Sequence, residues 1–139
     1  MPVDRATEAA LWDLSVRYAA AADRGDEEDF VDLFAEGGSL IVRNGEAAHV
    51  VSGREELRRI PAMLRRYERT FHFLGQSRFW ETEGGLRGEV VCTANHLLSG
   101  TNRVMYIRYL DDYEEAEGRW WFRSREVHVQ WTEDNGVPT

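Results

Sequence analysis

Three short turns divide the second half of the chain into four long segments that favour β-strands. The turns are Gly84-Gly85, Ser99-Gly100 and Glu117-Gly118. Pairs of this kind mark tight chain reversals between strands. The segments that they separate cover residues 70–82, 86–98, 102–116 and 119–132. Long strands joined by such short turns predict an antiparallel, strongly curved sheet.

The first half of the chain favours helices. A cap at Asp4 or Thr7 begins a helix that runs to about Ala22 and ends at Gly25. Asp26 then caps a short second helix, whose buried side is formed by Phe30, Leu33 and Phe34. Helices in one half and strands in the other predict an α+β fold, with the helices packed on one face of the sheet.

The middle of the chain predicts a small hairpin and a broken helix. Residues 39–43 form a short strand, and residues 49–51 return after a turn near Asn44-Gly45. The stretch from Ser52 to Glu55 matches a capping box that opens a third helix. Pro61 interrupts this helix and predicts a kink or two short helices. The chain is expected to fray from about Asn135.

Length and charge restrict the class of protein. A chain of 139 residues predicts one domain over residues 1–139. The net charge of −8 argues against a nucleic-acid partner, since phosphate binding needs a basic surface. A lone cysteine, Cys92, excludes an internal disulfide and fits a reducing compartment. With neither a signal-peptide pattern nor a run long enough to span a membrane, the expected location is the cytoplasm, and no membrane partner is expected.

Tyr18 and Asp23 occupy positions in the first helix that call for an explanation. On a helical wheel at about 100° per residue, one broad apolar arc contains Leu11, Trp12, Leu14, Val16, Ala19 and Ala22. Tyr18 falls in the middle of this arc, and Asp23 lies in line with Trp12. A carboxylate that faces a core is costly unless it has a partner or a use.

His72 is the best candidate partner for Asp23, because it lies in an apolar, strand-forming run from Thr70 to Leu74. Strand alternation places Leu74 on the same face, with a bulge possible at Gly75. In the next strand His96 shares a face with small residues that would leave room for a ligand. A buried aspartate beside a histidine is suited to moving protons.

Each of these residues also has a structural interpretation. Asp23 could be a solvated residue at a helix end, His72 a core histidine bonded to a backbone carbonyl, and Tyr18 a packed aromatic. Several chemistries are disfavoured, because the chain has no glycine-rich phosphate loop, no nucleophile-elbow serine and neither the HExxH nor the CxxC pattern. We therefore expect no metal and no cofactor, although a three-ligand site assembled from distant residues stays open.

Several segments together carry a family resemblance. They are the helix end from Tyr18 to Asp26, the stretch from Phe30 to Ala35, the run from Gly53 to Leu57, the strand start Thr70-Phe71-His72, and the closing region from Tyr113 to Trp120 with Arg125. In order and spacing the chain resembles the SnoaL-like branch of the nuclear transport factor two-like superfamily. The resemblance implies a cone-shaped curved antiparallel sheet, with N-terminal helices that enclose a pocket. It also implies a homodimer or higher homo-oligomer, for which Trp120, Trp121 and Trp131 are candidate contacts.

Within this superfamily the chain is most similar to the cofactor-free lyases: scytalone dehydratase, bile acid dehydratase and hexachlorocyclohexane dehydrochlorinase. They share a helix aspartate paired with a strand histidine, which match Asp23 and His72 here. Tyr18, five residues before Asp23, matches the tyrosine of the dehydratases, and His96 matches a second strand histidine of scytalone dehydratase by spacing. The resemblance therefore implies that Asp23, His72 and Tyr18 are catalytic. We assign substrate binding to His96, Trp12 and Arg125.

These features predict a cofactor-independent acid/base lyase or isomerase that acts on a small, apolar, cyclic oxygenated compound, preferably by eliminating water. One alternative is a non-catalytic ligand-binding or accessory module of the same fold. A third is an epoxide hydrolase-like reaction, which would need several carboxylates around a water, for which the chain offers Asp23 and Glu126.

Overall fold

The computed structural model describes residues 2–138, in which helices precede most of the strands. The helices are α1 (Arg5–Arg24), α2 (Glu27–Val31), α3 (Arg54–Leu57) and α4 (Arg59–Leu64). The strands are β1 (Phe34–Asn44), β2 (Ala47–Ser52), β3 (Arg69–Thr82), β4 (Gly85–Leu98), β5 (Thr101–Ala116) and β6 (Arg119–Gly136). Within residues 2–138, no helix has both the length and the apolar character that crossing a membrane requires.

The ends of α1 follow from local chemistry. The Asp4 carboxylate accepts a hydrogen bond from the Thr7 backbone N–H at 2.8 Å and so caps the helix. At the other end Gly25 adopts a left-handed conformation with φ of 69°, which glycine adopts without steric cost. Asp26 caps α2 in the same way, by accepting from the Asp29 N–H at 3.0 Å. Asp23 is thereby fixed in the last turn of α1.

All six strands belong to one sheet in the order β2-β1-β6-β5-β4-β3. The fold is of the α+β class, with a curved, open and mainly antiparallel sheet. One pair departs from the expected pattern, because β1 runs parallel to β6. The two strands lie far apart in the chain, so no tight turn forces them to be antiparallel.

The four long strands were predicted to within one residue at most ends, because the turn signals between them are strong. Other boundaries were wrong. β1 begins at Phe34, where it meets Phe122 of β6, instead of near residue 39. β6 continues to Gly136, which pairs with Thr101, so the expected fraying from residue 135 is absent through Gly136.

The third helical segment confirms one expectation and contradicts another. It divides into α3 and α4, and Pro61 lies in the first turn of α4, as its sequence position indicated. The predicted capping box does not form, since Gly53 is the N-cap and makes no side-chain cap hydrogen bond.

The core lies between α1, α2 and the concave face of the sheet. Fully buried members include Leu11, Leu14, Phe30, Phe34, Tyr109 and Phe122. Val16, predicted for the apolar arc of α1, is 41% exposed, whereas Ser15 is fully buried. The buried face of α1 is therefore centred nearer Tyr18 than the line of Trp12.

Two register shifts in β6 change the predicted faces of that strand. The pairing with β5 moves from Tyr113↔Phe122 to Asp112↔Ser124, so Arg123 is skipped. Simple alternation placed Phe122 and Arg125 on opposite faces, but both are buried in the structure. A bulge of this kind inverts the alternation beyond it.

The outer face of the sheet carries exposed aromatic residues. Phe71, Phe73 and Trp131 are 61%, 64% and 57% exposed, and Trp131 stacks on Tyr106. Trp120 instead packs against the core, and Trp121 lies under the Arg119 guanidinium. Of the three tryptophans expected at a dimer contact, Trp131 alone is largely exposed. The homodimer stays a prediction, and a monomer in sedimentation equilibrium would contradict it.

Candidate acid/base site

Asp23 and His72 meet where the end of α1 crosses the start of β3. The Asp23 Oδ1 atom lies 2.6 Å from His72 Nδ1. Asp23 Oδ2 accepts a second hydrogen bond, at 3.0 Å, from the His72 backbone N–H. The Thr70 hydroxyl donates a third, at 3.0 Å, to Oδ1. The carboxylate is therefore held by both the side chain and the backbone of the strand that carries the histidine.

These contacts set the proton arrangement of the pair. Burial opposes ionisation of Asp23, but the hydrogen bonds from His72 and Thr70 outweigh it and hold the pKa of this carboxyl below its usual range. An ionised carboxylate only accepts hydrogen bonds, so His72 Nδ1 must donate a proton to it. In the neutral ring the lone pair then resides on Nε2.

The free nitrogen of His72 is what gives the pair chemical potential. No hydrogen bond to Nε2 is found within residues 2–138, and the His72 side chain is 7% exposed. An imidazole that is oriented by a carboxylate on one side and unbonded on the other has the arrangement of a general base. The core-histidine interpretation, with a backbone carbonyl as partner, does not describe His72.

His96 lies beside this pair on β4. The two imidazole rings are 6.0 Å apart between centroids, with an edge-to-face orientation. His96 is only 4% exposed, and its Nδ1 lies 3.1 Å from the Arg103 carbonyl oxygen. A carbonyl only accepts, so Nδ1 carries the proton. Burial lowers the pKa of His96, so Nε2 of the neutral ring serves as a hydrogen-bond acceptor.

A cavity of about 400 Å³ lies on the far side of His96. Its walls include His96, Tyr67, Arg66 and Arg103. The Tyr67 ring packs on the His96 ring with 4.9 Å between centroids. A second cavity, of about 240 Å³, borders Asp23, Thr70 and Tyr67. Neither cavity is lined by His72 itself, so Tyr67 and His96 separate the acid/base pair from the larger space.

Tyr18 lies in the aromatic core. Its ring contacts those of Phe30 at 5.0 Å and Tyr109 at 5.5 Å between centroids, and the side chain is 5% exposed. Burial raises the pKa of Tyr18 to about 12, so its hydroxyl is neutral. No direct contact of Tyr18 with Asp23 or His72 is found in the described chain, and the packed-aromatic interpretation accounts for its surroundings.

Arg125 belongs to a buried ion pair. Its guanidinium donates to both carboxylate oxygens of Asp111, at 2.8 and 3.0 Å, and to Ser15 Oγ at 2.7 Å. It also lies over the rings of Tyr109 and Tyr18, at 3.7 and 4.4 Å from their centroids. The side chain is wholly inaccessible and lines neither of the cavities near the acid/base pair.

The remaining candidates lie away from the acid/base pair. Trp12 is half-buried and packs against the core, without lining either cavity near His96 and Asp23. Cys92 is a buried free thiol. Glu126 is bound by Arg43 at 2.7 Å and by His128, so it does not converge on Asp23. Over the part of the chain described, no three His, Cys, Asp or Glu side chains are grouped to hold a metal ion.

Sequence reasoning missed three contributors to this region. Thr70 was detectable, because strand alternation puts it on the face of His72. Tyr67 lies in the turn before β3, where no periodic pattern operates. The Arg103–Asp134 ion pair, with contacts of 2.9 and 3.1 Å, depends on the extension of β6 beyond residue 132.

With this geometry in view, comparison with family models is decisive. The model described as a SnoaL-like domain matches residues 4–126. The chain belongs to the SnoaL-like family. Among curated proteins, none matches this chain significantly.

Solved structures agree with this SnoaL-like assignment at the level of the fold. A protein from Novosphingobium aromaticivorans DSM 12444, provisionally named scytalone dehydratase, superposes with a TM-score of 0.80 at 19% identity, over 96% of this chain and 91% of that one. The dehydrochlorinase LinA-type3 from Novosphingobium barchaimii LL02 gives 0.80 at 17% identity, over 96% of each chain. A protein of unknown function with a cystatin-like fold, from Nostoc punctiforme PCC 73102, gives 0.76 at 23% identity, over 94% and 96%.

Proposed function

We propose that this SnoaL-like protein is a cofactor-independent acid/base lyase or isomerase, with elimination of water as the preferred reaction. The observation that carries the proposal is the 2.6 Å contact between Asp23 Oδ1 and His72 Nδ1, which leaves Nε2 of His72 unbonded. The names of two related structures, a dehydratase and a dehydrochlorinase, support an elimination.

In the proposed reaction His72 Nε2 removes a proton from a carbon next to a carbonyl group. The electron pair of the broken C–H bond forms a C=C bond, and the hydroxyl on the next carbon leaves. The resulting imidazolium returns its proton to that hydroxyl, so water is released and His72 is again neutral. Asp23 stabilises the imidazolium between these two steps. For an isomerisation the proton returns to another carbon of the substrate instead.

Other residues have supporting parts in this proposal. Tyr18, neutral because its pKa is raised to about 12, is the assigned hydrogen-bond donor to the developing oxyanion. Neutral His96 accepts a hydrogen bond through Nε2 and so suits a substrate hydroxyl better than it suits protonation of a leaving group. Trp12 and Arg125 keep their assignment to substrate binding, in which Arg125 would act from beneath the aromatic core. A small cyclic oxygenated compound remains the expected substrate.

The decisive experiment measures proton abstraction without knowledge of the natural substrate. A panel of cyclic ketones and hydroxyketones is incubated in D₂O, and exchange at the carbon next to the carbonyl is followed by NMR. His72→Ala should lower the exchange rate by about 10²–10⁴-fold. Asp23→Asn should produce a loss of similar size, because the amide N–H would favour the wrong imidazole tautomer.

Matched controls are available on the surface. His49 on β2 and Asp13 on α1 replace the same residue types away from the pair. His49→Ala and Asp13→Asn should keep the wild-type exchange rate. Wild-type rates in both His72→Ala and Asp23→Asn, once exchange is detected, would contradict the proposal.

A non-catalytic binding module is the second candidate. It is favoured by one observation, that His72 is almost sealed and lines neither nearby cavity. In a module Asp23 and His72 would satisfy each other and orient a ligand. The same D₂O experiment separates the two functions, because a module would bind members of the panel and catalyse no exchange.

A further inference from the structure

The cavity beside His96 reverses the charge of the molecule around it. The whole chain carries a net charge of −8, which disfavours anionic ligands in general. The walls of this cavity, in contrast, present the guanidinium groups of Arg66 and Arg103 against the single carboxylate of Asp134. His96 adds no negative charge. A local excess of positive charge inside an acidic protein is a feature that needs an explanation.

Arg66 and Arg103 are not equivalent in this cavity. Arg103 is satisfied, because Asp134 accepts two hydrogen bonds from it at 2.9 and 3.1 Å. No carboxylate lies within ion-pair distance of Arg66 in the described part of the chain. The Arg66 Nη2 atom donates to the Tyr67 hydroxyl at 2.9 Å, and the guanidinium lies 4.9 Å from the centroid of the Tyr67 ring.

These two contacts hold the Arg66 guanidinium at the cavity wall without neutralising it. A guanidinium has five N–H donors in a planar fork, and the contact with Tyr67 uses one of them. The remaining donors match the two oxygens of a carboxylate, which a guanidinium binds bidentately. Tyr67 and Leu98 supply apolar surface next to this cation, so the cavity offers one charged end and one apolar wall.

We propose that the cavity beside His96 binds an ionised carboxylate carried by a flat apolar ring, with Arg66 as the residue that pairs with the carboxylate. This inference rests on the proposed function, and it names the substrate class of the same site as a cyclic carboxylic acid. The acid group is held at the outer end, and the ring extends along Tyr67 and His96 towards His72. Arg66 is then a specificity-determining residue, which selects an acid over the corresponding alcohol.

The test compares two probes of nearly equal shape, 2-naphthoate and 2-naphthalenemethanol, by titration calorimetry at pH 7 and low salt. The wild-type protein should bind 2-naphthoate more tightly than the alcohol. Arg66→Gln should weaken 2-naphthoate binding by about tenfold, the size expected for loss of a charge-assisted hydrogen bond, and leave the alcohol unchanged. Arg66→Lys, which keeps the charge without the planar fork, should lose less.

A control variant distinguishes a specific contact from the general effect of charge. Arg59 is an exposed arginine on α4, paired with Glu56, and it does not line the cavity. Arg59→Gln removes the same charge and should leave the affinity for 2-naphthoate unchanged. Equal losses in Arg59→Gln and Arg66→Gln would overturn the inference. So would equal losses for acid and alcohol in Arg66→Gln, or no binding of 2-naphthoate to the wild type at millimolar concentration.

The binding readout keeps this inference separate from the proposed reaction. His72→Ala should bind 2-naphthoate with wild-type affinity even though it has lost exchange activity. If acid-selective binding depends on Arg66 while no variant affects exchange, the acid site stands and the lyase proposal fails. If exchange depends on His72 while acid and alcohol bind equally, the reaction stands and the carboxylate assignment fails.

Discussion

Two carboxylate–cation pairs link elements of this fold, and they have opposite characters. Asp111 and Arg125 are wholly buried, and both oxygens of Asp111 accept from the guanidinium. Asp23 and His72 lie at the rim of the core, with side chains that are 25% and 7% exposed. The first pair joins neighbouring strands β5 and β6, whereas the second joins a helix end to the edge strand β3.

The difference between the pairs lies in the proton. A guanidinium stays charged at any pH at which the protein is folded, so Arg125 provides a fixed positive charge. Contacts with Asp111 raise the pKa of Arg125 further, although burial acts against them. An imidazole changes charge near neutral pH. The same arrangement of a carboxylate and a nitrogen base is therefore structural at Arg125 and suited to proton transfer at His72.

Surroundings reinforce this division. The Arg125 guanidinium is enclosed by Tyr18, Tyr109 and Phe122, over whose rings it lies at 4.4, 3.7 and 4.5 Å. Such cation–π contacts stabilise a buried charge without hydrogen bonds. They matter because Nη1 of Arg125 is buried without a hydrogen-bond partner in the described chain. His72 instead has a free nitrogen and two cavities nearby.

The largest expected effect tests the structural pair. Asp111→Ala leaves the Arg125 charge buried and unpaired, which should lower the free energy of unfolding by about 3–5 kcal/mol in urea denaturation. The neighbouring Asp112 pairs with Arg87 and is partly exposed, so Asp112→Ala should cost about 1 kcal/mol or less. Similar losses in the two variants would break the distinction between the pairs.

A smaller effect tests the state of Asp23 through the pH dependence of stability. Its folded pKa is lowered, so its contribution is fully present above the unfolded value, near 3.8, and is lost as the pH falls through the folded pKa. At pH 7, Asp23→Asn should lower the free energy of unfolding by about 1–2 kcal/mol. Urea denaturation should show the gap between wild type and variant narrowing below pH 4. A gap that widens with acidification would mean that Asp23 is protonated in the folded protein.

Sequence reasoning brought Asp23 and His72 together correctly as neighbours, although their catalytic roles stay predictions. A helical wheel and strand alternation are both local patterns, and both segments are regular enough for these patterns to hold. The α+β class was predictable for the same reason, with long strands between strong turn signals.

Arg125 shows where such reasoning stops. The bulge that skips Arg123 is a property of the pairing between β5 and β6, and no single-strand pattern contains it. The buried position of Arg125 therefore depends on register, which only the partner strand determines. The cavity beside His96 was hidden for a related reason, because it is built from residues of the α4–β3 turn and of β4, β5 and β6, which no periodic pattern connects.

The smallest expected effect concerns Thr70, which donates one of the hydrogen bonds to Asp23. Thr70→Val keeps the shape and removes this donor, so it should lower the free energy of unfolding by about 0.5–1.5 kcal/mol. It should also slow D₂O exchange by a fewfold, because the carboxylate is held less firmly against His72. Thr93→Val, on the outer face of β4 opposite Phe73, is the matched control and should leave exchange unchanged.

A Thr70→Val variant that lost stability without any change in exchange rate would place Thr70, like Ser15 beside Arg125, among the groups that only support the fold. The acid/base pair would then depend on the two contacts from His72 itself, at 2.6 Å to the ring and 3.0 Å to the backbone. Because both contacts come from one residue of an edge strand, local opening of β3 would break them together. Loss of exchange should then follow the opening of β3, which hydrogen exchange at the His72 amide measures directly.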